Sequence, residues 1–308
     1  MEIQVHKTTL DSQAAPDVAL SDGGAFTVVW TSETGSNKTK RIYMQSFDNK
    51  GVKVGTETKV DKVALDSTYS TNNPRIAMFG TGEMIVTWEN MKAAALIDVN
   101  AQVFDAASAP KTSTDIVLNV KSEGKNFNSN VIPFGADQFL VAWEKDIDAG
   151  IKNLNLSYEN IKSRLVSNAG TLGTDEVSVS TEKNININNA PELSVTGNGA
   201  VVVWQERKKV GEKASAKNQW FMQAHEMDAE GKPTGEIMTL INGRETPYNG
   251  TRVSSNGSEK VGILWGETEK GKNKSTIQFR PWNLEITAKE AEEVHTAAPE
   301  EGAATPAQ

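Results

Sequence analysis

A phrase of about fifteen residues occurs five times along this chain, and each copy ends on a tryptophan. It reads PDVALSDGGAFTVVW at 16–30, PRIAMFGTGEMIVTW at 74–88, SNVIPFGADQFLVAW at 129–143, PELSVTGNGAVVVW at 191–204 and RVSSNGSEKVGILW at 252–265. Trp30, Trp88, Trp143, Trp204 and Trp265 stand 58, 55, 61 and 61 residues apart. Self-similarity at such a period is the mark of supersecondary units stacked in a row or arranged around an axis.

Within each unit the pattern predicts four short strands. Strand a is the first half of the phrase. A Gly-rich turn returns the chain as strand b, where β-branched and aromatic residues suit a half-buried pleated surface. Strand c follows a polar loop, as in RIYMQSFD at 41–48. A second turn, DNKG at 48–51 or DAEG at 228–231, precedes strand d. The fifth unit has no clear strand d, whereas EIQVHKTT at 2–9 stands alone before the first unit. Supplying the missing strand from the N-terminus would close a ring and cover its exposed edge. The expected fold is therefore all-β: a five-bladed β-propeller over residues 1–287, its last blade completed by the N-terminal strand, then a flexible acidic Ala/Glu/Pro tail over 288–308.

Composition removes several function classes. With no cysteine, the chain has neither disulfides nor thiolate chemistry, and its only imidazoles are His6, His225 and His295, far apart in sequence. No metal site and no cofactor are expected. The formal charge is −8, and 32 Lys and Arg are dispersed without a basic stripe, which argues against nucleic acid. No apolar run approaches the roughly eighteen residues that span a bilayer, so no membrane insertion is expected. The first ten residues do not read as a secretory signal.

The first unit, from EIQVHKTTLDSQAAPDVALSDGGAFTVVW through IYMQSFDNKGVKVG, resembles the tandem repeats of large secreted bacterial proteins of the RTX or calcium-associated type. The second and fourth units resemble them moderately, the third and fifth loosely. The resemblance implies a secreted or cell-surface β-repeat protein used in adhesion or recognition, with no known catalytic constellation. The Gly-Asp nonapeptides that wrap calcium in such proteins are absent from this sequence.

Three sets of polar residues recur in register. Asp17, Arg75, Asn130, Glu192 and Arg252 open the strand a segments, which in a propeller line the central channel. They would form either a funnel for a polar ligand or a set of charges pairing across a wet channel. Gln45, Gln102, Arg164, His225 and Arg280 occupy equivalent places on strand c, where inter-blade hydrogen bonds are the simplest use for them. Glu33, Glu89, Glu144, Glu206 and Glu267 follow the tryptophans at varying offsets, as a repeated solvated rim would. The Asp and Asn of the second turns shape hairpins, since they lack the alternating oxygen ligands of a calcium loop.

The b–c loops at 31–40, 90–98, 145–160 and 206–220 vary most, and binding concentrates on such loops. Trp220 ends the fourth, as either an exposed ligand contact or a buried strand residue. The sequence thus points to a non-enzymatic binding or adhesion module that recognises a protein or glycan through these loops and the channel mouth, with Asp17, Arg75, Asn130, Glu192, Arg252 and Trp220 as contact residues. Alternatives from other classes are a structural block of a larger extracellular or phage assembly and a cryptic glycosidase.

Overall fold

The computed structural model describes residues 2–7, 11–34, 38–64, 67–93, 96–120, 124–148, 157–173, 175–181, 187–211, 217–258, 260–268 and 275–283. Every regular element among them is a β-strand. The protein is a five-bladed β-propeller.

Blade 1 consists of β1 (Gln13–Leu20), β2 (Phe26–Thr34), β3 (Thr39–Phe47) and β4 (Lys53–Lys59). Blade 2 follows with β5 (Ser70–Met78), β6 (Met84–Ala93), β7 (Leu96–Phe104) and the short β8 (Ile116–Val117). In blade 3 the strands are β9 (Lys125–Phe134), β10 (Gln138–Asp148), β11 (Ser157–Ser167) and β12 (Val177–Ser178). Blade 4 has β13 (Ile187–Thr196), β14 (Gly199–Val210), β15 (Lys217–Met227) and β16 (Pro233–Arg244). Blade 5 has β17 (Tyr248–Ser255), β18 (Lys260–Thr268) and β19 (Ser275–Asn283). Strands within a blade are antiparallel neighbours, and single parallel bridges at Ile97↔Lys125 and Glu159↔Ile187 join blades 2, 3 and 4.

Four apolar layers hold the blades together, one between each consecutive pair. Between blades 1 and 2 lie Val29, Ile42 and Met44 against Ile76, Val86 and Trp88. Val99, Ala101 and Val103 face Val131, Val141 and Trp143 at the next boundary. The third joins Ala142 and Ile161 to Leu193, Val202 and Trp204, and the fourth joins Val203, Met222 and Ala224 to Val261, Ile263 and Trp265. In blades 2 to 5 the repeated tryptophan faces the preceding blade, because period-two alternation fixes which side of a strand each residue takes. All five tryptophans are buried.

The strand c polar set makes the inter-blade links that its positions imply. Arg164 donates to the Leu118 carbonyl at 2.9 Å, His225 Nδ1 lies 2.8 Å from the Val179 carbonyl, and Arg280 donates to Leu240. Each partner sits on the outer part of the preceding blade. Gln45 and Gln102 instead bond carbonyls of their own blades, at Val54 and Thr112. The second turns are Asx turns: Asp48 Oδ1 accepts from the Lys50 and Val52 amides, and Asp228 Oδ1 from Glu230 and Lys232. Gly51 supplies the positive φ of 78° that closes the first of them.

Among the described residues of the expected N-terminal closing strand, no pairing with blade 5 is found. Residues 2–7 carry no strand, the Lys7 amide donates to Glu57 at 2.7 Å, and Ile3 lies beside Gly51, so this segment lines the first blade. Blade 5 has three strands among the described residues. Contacts with blade 1 satisfy the segment locally, and an alternating pattern by itself does not choose its edge. The tail at 288–308 lies outside the described residues.

Candidate functional site at the channel mouth

Every innermost strand breaks its pairing at the same place. The register of β1, β5, β9, β13 and β17 against its neighbour shifts just before Asp17, Arg75, Asn130, Glu192 and Arg252. Two residues ahead of each stands one residue with positive φ: Ala15 at 48°, Asn73 at 48°, Asn128 at 50°, Ala190 at 53° and Gly250 at 58°. Four of the five carry a side chain in a conformation that costs an L-residue roughly 1–2 kcal/mol. Such bulges re-aim side chains, and strain repeated around one axis marks a place where position outweighs local stability.

The bulges bring the five axial residues together. Arg252 donates to Glu192 at 2.9 Å, Asn130 hydrogen-bonds the same carboxyl, and Arg75 and Asp17 both act on it through their charges. Burial pushes the Glu192 carboxyl above its ordinary range, while Arg252 and Arg75 draw it back down. Asp17 Oδ2 accepts the Ile76 amide of the neighbouring blade at 3.0 Å. The axis therefore holds two carboxyl groups, two guanidinium groups and one amide, one from each blade. A small cavity of about 190 Å³ lies beside them, lined by Pro16, Asn73, Pro74, Arg75, Asn128 and Ser129.

Under this mouth lies a second layer that the sequence reading placed wrongly. Glu89 and Glu144 are buried, not part of a solvated rim. Glu89 Oε1 accepts from Asn73 Nδ2 at 2.9 Å and from the Asn128 amide at 3.0 Å. Glu144 Oε1 accepts from Asn128 Nδ2 at 2.8 Å and from the Ala190 amide at 2.6 Å. Each carboxyl thus clamps the bulge of the next blade, and Asn128 touches both. Burial raises both carboxyls, that of Glu144 to about 8, so Glu144 is mostly a neutral acid at neutral pH. Glu206 and Glu267 take other partners, Gln223 Nε2 and Arg244. The structural signal separating them is offset: Glu89 and Glu144 directly follow their tryptophans, while Glu206 and Glu267 come one residue later, on the opposite strand face.

Trp220 does not join the axial group. It sits in β15 opposite Arg207, whose guanidinium carbon lies 5.7 Å from the ring centre, and packs half-buried against the layer between blades 4 and 5. Much of the fourth b–c loop is hairpin, since β14 and β15 pair out to Val210↔Lys217. The centres of the longer loops, at 149–156 and 212–216, lie outside the described residues. Among the described residues no three His, Asp or Glu gather as a metal ion would require.

No family model matches the sequence, nor does any curated relative. Solved structures match the fold. An α-L-arabinofuranosidase from Fusarium graminearum, bound to an iminosugar inhibitor, is 8% identical with a TM-score of 0.54, over 91% of this chain and 84% of its own. An α-L-arabinanase from Penicillium chrysogenum, complexed with arabinobiose, is 9% identical with a TM-score of 0.55, over 86% and 77%. A protein of unknown function from Dyadobacter fermentans is 10% identical with a TM-score of 0.55, over 92% and 82%.

These findings overturn two expectations. The resemblance to RTX-type repeats gives way, because the similar structures with a named activity are propeller glycoside hydrolases and no family model matches. The expectation of a non-enzymatic adhesion module is corrected with it, since the frame is one on which hydrolases are built. The repeat pattern quoted for the first resemblance consists of strand-making and turn-making residues, which report on blades and not on what the blades carry.

Proposed function

We propose that the channel mouth hydrolyses a glycosidic bond. The observation that carries this reading is that Glu192 of blade 4 and Asp17 of blade 1 lie in one axial group, within electrostatic reach of each other, together with Arg75, Asn130 and Arg252. Glycoside hydrolysis needs two carboxyl groups in unlike protonation states on either side of the scissile bond. Glu192, raised by burial, is suited to donate its proton to the departing glycosidic oxygen. Asp17 is the carboxyl assigned to take a proton from the attacking water. The C–O bond breaks as the water oxygen bonds the anomeric carbon, so both protons are accounted for. Arg75, Asn130 and Arg252 present donors to sugar hydroxyls.

The similar structures named as an arabinofuranosidase and an arabinanase support arabinose-containing glycans as the first substrate class, a substrate that goes with a secreted or cell-surface setting. The test is release of aryl alcohol from a panel of aryl glycosides, α-L-arabinofuranosides first, together with reducing-end release from arabinan. The expected result is turnover that falls at least about 100-fold in Glu192→Gln and in Asp17→Asn, with unfolding temperature held. No release across the panel, or release untouched by both substitutions, would overturn the reading.

A further inference from the structure

At the end of the strands away from the bulges, the layer between blades 1 and 2 opens into a cavity of about 400 Å³. Blade 1 lines it with Thr27, Ser46 and Val54, and blade 2 with Met78, Met84 and Ser108. The strand registers show why space is left there. Thr27 pairs with Ser46, two residues along from the Val29↔Met44 rung, and the corresponding rungs are Ile85↔Val103 in blade 2, Leu140↔Leu165 in blade 3 and Val201↔Glu226 in blade 4. Period-two alternation puts this rung on the face that meets the next blade. An aliphatic side chain closes the layer at this level in blades 2, 3 and 4, whereas in blade 1 both residues carry hydroxyls.

A third hydroxyl joins these two from a strained backbone. The c–d hairpin of each of the first four blades closes on a residue whose amide donates back across the turn: Gly51 to Asp48, Ser108 to Asp105, Gly170 to Ser167 and Gly231 to Asp228. All four have positive φ, at 78°, 66°, 83° and 70° in that order. Glycine adopts this conformation freely, whereas Ser108 carries a side chain there at a steric cost. What the serine adds is a hydroxyl on the cavity. Ser46 Oγ lies 2.8 Å from Thr27 Oγ1 and 2.9 Å from Ser108 Oγ, so the three form one chain across the blade boundary. Backbone strain of this kind collects at ligand sites.

We propose that this cavity binds a neutral, hydroxyl-bearing ring, such as a single sugar residue, at a site separate from the channel mouth. The three hydroxyls hold three protons, and the two bonds among them use two. One donor and most of the lone pairs therefore remain for a ligand, which must itself both donate and accept. Met78, Met84 and Val54 supply apolar wall for the C–H face of a ring, and apolar walls with a few placed polar groups are what small-molecule sites present. Among the described residues lining the cavity none is Lys, Arg or His, and Asp48 commits Oδ1 to its own hairpin, so the site favours an uncharged ligand. Val54 is 54% exposed at the rim, where a bound ring would cover it. The site does not depend on whether the mouth hydrolyses glycans.

Met78 and Met84 stand in the wall, so NMR of isotope-labelled methionine methyls reads the site directly. Titration with L-arabinose, D-galactose, D-xylose and D-glucose should shift both methyl signals saturably for at least one sugar, and equally so in the Asp17→Asn/Glu192→Gln protein. Giving blade 1 the residues of blade 2, Thr27→Ile with Ser46→Val, fills the space and should abolish the shifts. Ser108→Gly should weaken binding about 10-fold, as expected for one lost hydrogen bond, while Tm holds or rises because the strain is released. Silence of both methyls with all four sugars, or shifts that persist in the filled protein, would overturn the proposal. An unchanged affinity in Ser108→Gly would overturn it too, which keeps the test decisive should the filled protein fail to fold.

Discussion

Arg252 reaches back from the fifth blade to donate to Glu192 of the fourth at 2.9 Å. Its charge is the strongest influence opposing the upward push that burial exerts on that carboxyl. Replacing Arg252 by Gln keeps a donor and removes the charge, so the Glu192 pKa rises. A proton donor with a higher pKa stays loaded to higher pH, and the alkaline limb of the pH–rate profile moves upward. Stability should change by less than about 1 kcal/mol, because the guanidinium is largely in solvent. A limb that stays in place would show that Glu192 is not the donor.

Glu144 gives a stability prediction whose sign follows from proton linkage. Its folded pKa, raised by burial to about 8, lies above the ordinary glutamate value of 4.5. The folded state therefore holds a proton that the unfolded chain has released. The contribution is fully present below about pH 4.5 and is lost as pH rises toward 8. Both hydrogen bonds go to Oε1, which a glutamine amide oxygen can also accept. Glu144→Gln should flatten this part of the stability–pH curve and, at pH 8, stabilise by on the order of 2 kcal/mol relative to the parent. Urea denaturation at pH 5 and pH 8 checks it, with the two proteins converging at the lower pH.

The bulge residues are where the sequence was readable in part. Blade number followed from the tryptophan period, and the axial five followed from aligning strand a on it. The bulge itself left a trace, since Pro16, Pro74 and Pro191 each stand directly after a positive-φ residue, yet nothing local says that an alanine adopts that conformation. Tertiary packing imposes it, as the clamps from Glu89 and Glu144 show. Those two carboxyls were missed because their role depends on an odd or even offset from the tryptophan, which decides the face only once the strand is paired. The exposure of Ile277 and Val18 was equally hidden, because both look like any other core residues of the repeat.

Ala190 makes the imposed strain measurable. Its φ is 53° and its amide is held by Glu144 at 2.6 Å, so the backbone must keep this shape. Glycine adopts it without steric cost, relieving roughly 1–2 kcal/mol, while the added freedom of the unfolded chain takes back roughly 0.4–1 kcal/mol. Ala190→Gly should therefore stabilise by up to about 1.6 kcal/mol, and Ala15→Gly likewise. Asn128→Gly should destabilise, because it removes the side-chain donor to Glu144. Thermal unfolding of the three variants distinguishes strain from lost bonding.

The repeated tryptophans are not equivalent in how their indole nitrogens are satisfied. Trp143 Nε1 donates to Asn126 Oδ1 at 3.2 Å and Trp204 Nε1 to Asn188 Oδ1 at 2.8 Å. Blade 2 has Thr71 at the corresponding place, committed to Asp61 and the Lys40 carbonyl, and Trp88 Nε1 is buried without an acceptor. Trp88 and Trp143 are both fully buried, so truncation to phenylalanine opens comparable space in each. Trp88→Phe also deletes an unpaired donor, whereas Trp143→Phe strands the Asn126 oxygen. An unsatisfied buried group costs roughly 1–3 kcal/mol, so Trp88→Phe should be the milder change by about 2 kcal/mol. Equal losses in urea denaturation would mean that the Trp88 nitrogen has a partner in solution.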